Sequence, residues 1–119
     1  MPYFCVMSEY LLIEKKIRDM IIYNSIMLRQ FPKFEKFVLA SKIRELGYDI
    51  LELAVAANKR YIKKTSFSEF DVKHETLRQL INLAFELKYI DAQKHRVSQL
   101  NVDEVGRMLG AWMKVQNTG

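Results

Sequence analysis

Apolar positions along the chain recur at steps of three and four, the spacing that lines one face of a helix. Ile13, Ile17, Met20, Asn24 and Met27 set the first such row. It predicts a helix from about residue 8, with Ser8 as its cap, to about Arg29. Pro32 ends it, because the residue before a proline is pushed out of the helical region. A second row, Leu39, Ile43, Leu46, Ile50, Leu53 and Ala57, repeats like a heptad. Pro32 suits the first turn of a helix, so the second helix is predicted over 33–64. Ser66 and Glu69 have the spacing of a capping box. They open a third helix over 67–89, which carries Phe70, Leu77, Leu80, Ile81, Ala84 and Leu87. Asp91 is a good cap for a fourth over 91–115, with Val97, Leu100, Val105, Met108, Leu109, Trp112 and Val115 facing inward.

No segment alternates with the period of a strand. Four helices with short connections predict an all-α fold, an antiparallel up-down-up-down four-helix bundle in a single domain spanning 1–119. The apolar faces are wide. Leu12, Ile13, Ile17, Met20, Ile21, Ile26, Met27 and Leu28 cover much of helix one, and Val102, Gly106, Leu109 and Met113 form a second stripe on helix four. Faces that wide predict self-association.

Composition narrows the class. With 119 residues, four glycines and two prolines, the chain is poor in the turns that a β-sandwich needs. Cys5 is the one cysteine, which excludes an internal disulfide framework and points to a reducing, cytoplasmic setting. The uncharged run "MIIYNSIML" is far short of a membrane span, so no membrane partner is expected.

Charge adds a direction. The net charge is +5, and it is uneven. Nine Lys/Arg face four Asp/Glu between Arg29 and Lys64, whereas seven face seven from Phe67 onward. The stretch "NKRYIKK" holds Lys59, Arg60, Lys63 and Lys64, and Lys33, Lys36, Lys42 and Arg44 lie near the other end of the predicted second helix. Part of the first cluster complements a helix dipole. The remainder is suited to phosphates, with RNA or DNA as partner, bound with strong salt dependence and little sequence preference.

Catalytic chemistry is not visible. His74 and His95 fall on different helices and lack paired Glu-x-x-His motifs, and the four glycines form no phosphate loop. Neither metal nor cofactor is expected, and no enzymatic activity. Glu45, Asp49 and Glu52 share one helical face, where salt-bridge partnership or solvation is the expected role. Gly106 and Gly110 remain to be explained, since each costs a helix interior about 1 kcal/mol relative to alanine. Four apart beside Trp112, they predict a close helix approach, within the bundle or between copies.

Several segments together resemble one family. Phe31 to Phe37 reads F-P-K-x-E-(K/R)-(F/Y). A Leu-Glu-Leu turn precedes Ala-Ala-Asn-Lys, "TLRQLINLAFELKYID" is similar to a third helix, and "EVGRMLGAWMK" matches a closing signature E-(V/I)-G-R-(M/I/L)-L-G-(A/G)-W. These resemble the accessory variability determinant (Avd) proteins of diversity-generating retroelements, which are akin to four-helix bundle proteins encoded in intervening sequences of large-subunit ribosomal RNA genes. The resemblance covers about residues 8 to 115. It implies a homopentameric barrel that binds RNA and DNA and associates with the element's reverse transcriptase during mutagenic retrohoming, without being the polymerase. By motif, Lys33, Lys36 and Lys59 carry over to the basic surface. The alternative is a scaffold of the intervening-sequence type with no reverse transcriptase partner.

Overall fold

The computed structural model describes the backbone of residues 2–59 and 64–118, and the side chains of residues 12–57, 59 and 67–112. It contains four α-helices: α1 Pro2–Met27, α2 Leu39–Asn58, α3 Lys64–Glu86 and α4 Ala92–Thr118. Among the described residues there is no strand. α1 packs on α2 and α4, and α3 packs on the same two, so the helices close a ring around one core.

The apolar rows build that core. Ile17, Met20, Ile50, Leu77, Ile81 and Val102 are fully buried, one or two from each helix. Each such side chain contributes about 1.5–3 kcal/mol on leaving water. One polar pair sits among them. The Ser98 hydroxyl donates to Asn24 Oδ1 at 3.0 Å, which satisfies both groups in a place water does not reach. Asn24 occupies an apolar register position for this reason.

The helix bounds depart from those read in the sequence. α1 begins at Pro2, so Ser8 lies inside it and is not its cap. Phe31 is extended (φ −66°, ψ 146°), as expected before proline. Pro32, however, does not open α2. It precedes one 3-10 turn, Lys33–Glu35, and α2 starts only at Leu39. The cause is visible in the pattern. Residues 33–38 bury nothing fully, so no apolar face holds them in an α-helix until Leu39 and Ala40 reach the core. α2 ends at Asn58 instead of residue 64, and α3 begins at Lys64, which puts Ser66 inside a helix and not at a capping position.

Two connections are fixed locally. α3 stops in a Schellman arrangement: Tyr89 N–H bonds Ala84 C=O at 2.9 Å, and Lys88 N–H bonds Phe85 C=O at 2.9 Å. Lys88 takes the left-handed conformation (φ 66°) that glycine usually supplies there. Asp91 caps α4, accepting from Lys94 N–H at 2.8 Å. That bond, with the nearby Lys94 ammonium, holds the Asp91 carboxyl below its ordinary range.

The wide apolar faces are largely absorbed by the bundle. Val102 and Leu109, read as a second stripe, are core residues. Ile13, Ile17, Met20, Met27 and Leu28 are buried too, which leaves Leu12, Ile22 and Ile26 exposed on α1. Leu87 and Leu100, expected inside, are exposed. No described helix is long and apolar enough to cross a membrane.

Candidate functional site

The connection between α1 and α2 is anchored by aromatic rings. Phe31 is buried and packs on Tyr89 with centroids 5.4 Å apart. Phe34 meets the same ring edge-on at 6.3 Å. The Tyr89 hydroxyl donates to Glu35 Oε2 at 2.9 Å, which raises the Tyr89 pKa above its ordinary value. Glu35 is the one carboxylate among residues 29–44, and this bond turns it toward the α3–α4 connection.

Beside this anchor lies a groove of about 300 Å³. Leu28 and Ala40, both buried, form its floor. Its walls carry Arg29, Lys36, Arg44, the Ser41 hydroxyl and the Phe37 ring. Phe37 is 91% exposed, the largest value among the exposed large apolar side chains described. Lys33 and Lys42 are exposed nearby in the chain. Among the described residues, none of Arg29, Lys33, Lys36, Lys42 and Arg44 has a carboxylate within ion-pair distance.

A second groove, of about 360 Å³, runs between α3 and α4 past Phe70, Asp71, His74, Arg78, Asp103 and Arg107. Its two cations are matched. Arg78 bonds Asp103 and reaches Glu75 at 3.5 Å, and Arg107 bonds Glu104 at 2.6 Å. That bond lowers the Glu104 pKa and raises that of Arg107. On the next seam, Lys73 of α3 bonds Asp49 of α2 at 2.9 Å, which raises the Lys73 pKa. Asp49, from the acidic row of α2, is thus a salt-bridge partner. Among the described residues no group of three or more His, Cys, Asp and Glu is arranged to hold a metal ion.

The basic residues read from the sequence do not form one patch. Lys33, Lys36, Lys42 and Arg44 gather at the start of α2. Lys59 is exposed just after α2 ends, about 30 Å away along a helix of this length. Lys64 opens α3, but its side chain, like Arg60 and Lys63, lies outside the described residues. Sequence reasoning did not place Arg29 or Phe37 in the site. Arg29 precedes Pro32, and the predicted helix ran through Phe37; the signal available was the absence of any apolar register over 33–38.

The glycine pair divides. A Cβ on Gly106 would lie 2.6 Å from the His74 imidazole, so a side chain fills this gap and not a second backbone. His74 stacks on Phe70 and donates from Nε2 to Val102 C=O at 2.8 Å. A Cβ on Gly110 would meet nothing within 4 Å. Buried Gly47 likewise makes room for a side chain, since a Cβ there would lie 3.1 Å from the Ile21 side chain of α1. Trp112 is buried against Phe67, with centroids 6.0 Å apart, at the other end of the bundle from the basic groove.

A family model described as bAvd-like matches residues 11–116. No curated protein and no solved structure matches the chain.

Proposed function

The chain belongs to the bAvd-like family, and on that premise we propose that it is a non-catalytic accessory protein of a diversity-generating retroelement. In this reading it holds template RNA and cDNA beside the element's reverse transcriptase, so that mutagenic copying can begin. It acts as a homo-oligomer, a pentameric barrel, with the exposed Leu12, Ile22 and Ile26 of α1 as the apolar surface available for assembly.

The observation that carries the nucleic-acid part is the groove at the start of α2. Arg29, Lys36 and Arg44 line it with no carboxylate in ion-pair distance among the described residues. Such cations have no internal partner to give up on meeting a phosphate backbone. Binding then gains chiefly from release of counterions, which makes it salt-dependent and indifferent to sequence. Lys33 and Lys42 widen the basic surface, and Lys59 extends it to the far end of α2.

The test is binding of a structured RNA and a matched DNA duplex across a salt series, with oligomer mass measured in the same samples. Wild type is compared with a variant carrying Lys33→Gln, Lys36→Gln, Lys42→Gln and Arg44→Gln. The expected result is micromolar or tighter binding that weakens steeply with salt in wild type and is lost in the variant. A well-folded oligomer that binds neither nucleic acid at low salt would sink this reading and leave a scaffold whose partner is another protein.

A further inference from the structure

An almost fully exposed phenylalanine is costly in water, and its surroundings say what covers it. Phe37 stands on a turn between the 3-10 segment and α2, with no ring contact to any described residue. Lys36 precedes it, and Arg29, Lys36 and Arg44 share its groove. The polar groups there are three cations and one hydroxyl, Ser41. Phe34, 73% exposed, offers a second ring three residues earlier.

We infer that this groove is a docking site for single-stranded nucleic acid, in which an unpaired base stacks on Phe37 while Arg29, Lys36 and Arg44 hold the flanking phosphates. The inference rests on the nucleic-acid reading above and narrows it. A duplex keeps its bases stacked on one another and can offer this surface only phosphates, which leaves Phe37 in water. A single strand offers a phosphate backbone and a free base face at once, and both parts of the groove are then used. Charge decides against a face-to-face dimer through this groove, which would bring the same three cations together; a head-to-tail contact in a ring is the occupant that the oligomer mass distinguishes.

The test compares a short unstructured RNA carrying 2-aminopurine with a duplex of equal length. Three proteins are measured: wild type, Phe37→Ala, and a triple variant with Arg29→Gln, Lys36→Gln and Arg44→Gln. Phe37 touches no described ring, so the alanine variant is expected to keep the wild-type melting temperature and oligomer mass. For wild type, binding should quench 2-aminopurine fluorescence. Phe37→Ala should abolish the quenching and weaken single-strand binding about five- to a hundredfold, with duplex binding within about twofold of wild type. The triple variant should weaken both ligands.

If Phe37→Ala leaves single-strand binding and quenching intact while the triple variant weakens both ligands, stacking is overturned and the broader nucleic-acid reading stands. If the triple variant changes neither ligand, the broader reading falls as well. If Phe37→Ala changes the oligomer mass without a selective loss of single-strand binding, a second copy covers the ring and the inference is overturned.

Discussion

The two grooves of the molecule are similar in size and opposite in how they treat charge. Along α3 and α4, Arg78 and Arg107 are held by Asp103 and Glu104, and His74 is fixed between Phe70, Gly106 and Val102 C=O. At the start of α2, Arg29, Lys36 and Arg44 have no ion pair among the described residues, and Glu35, next to Lys36, is turned to Tyr89. Net charge does not describe this difference. Charge available to a partner is what remains after internal pairing, and among the described residues the cations of the α2 groove remain available where those of the α3–α4 groove do not.

The largest test of the contrast is on binding. Replacing Arg29, Lys36 and Arg44 together with glutamine should lower affinity for single-stranded RNA roughly a hundredfold near 0.1 M salt and flatten the salt dependence by about 0.7 per lost contact. Arg78→Gln and Arg107→Gln should leave both nearly unchanged in the same titration, because those cations are already paired. Equal losses from the two grooves would break the comparison.

The next effects are on stability. Gly106→Leu should cost about 1–3 kcal/mol in denaturant unfolding, since the new side chain displaces His74 from its stack and its carbonyl partner. Gly110→Ala has open space and should stabilise by up to about 1 kcal/mol. In a His74→Ala background, Gly106→Ala should turn stabilising. A Gly106→Ala effect of the same size with and without His74 would remove the imidazole from the explanation. Lys88→Gly should also gain about 1 kcal/mol, by relieving the left-handed backbone at the end of α3.

The smallest effect is a slope. Asp91 is held below its ordinary pKa in the folded chain, so its contribution is present above the unfolded carboxylate value, about 3.9, and is lost as pH falls through the lowered value. Melting temperature against pH should therefore fall less steeply below about pH 4 in Asp91→Asn than in wild type. Parallel curves would mean that the cap adds no pH-dependent stability.

How much of this could be read in advance depended on whether burial enforces it. Ile17, Met20, Ile50 and Ile81 announce themselves by spacing, because only one face of each helix can leave water. Asp91 is legible as a cap from local chemistry alone. The sequence predicts helix over 33–38 because Pro32 permits one, but nothing apolar requires one and the segment is not α-helical. Gly47 carries no spacing signal of the kind that Gly106 and Gly110 share. The identity of the neighbour, Ile21 in one case and His74 in another, is set by how helices meet, and no single helix encodes that. The basic residues were visible one by one; their division into paired and unpaired was not, since pairing is a tertiary property.

The ring of helices has a practical corollary. Tyr89 touches Phe31, Phe34 and Glu35, so the α1–α2 and α3–α4 connections share one end of the bundle. α1 therefore begins, and α4 finishes, at the opposite end, a helix length of about 30 Å or more from Phe37. An affinity tag or fluorophore fused at either terminus stands clear of the groove, and a protein tethered to a sensor surface by such a tag presents the groove to the solution. Immobilised binding measurements on this chain can thus be made from either terminus without masking the residues they are meant to interrogate.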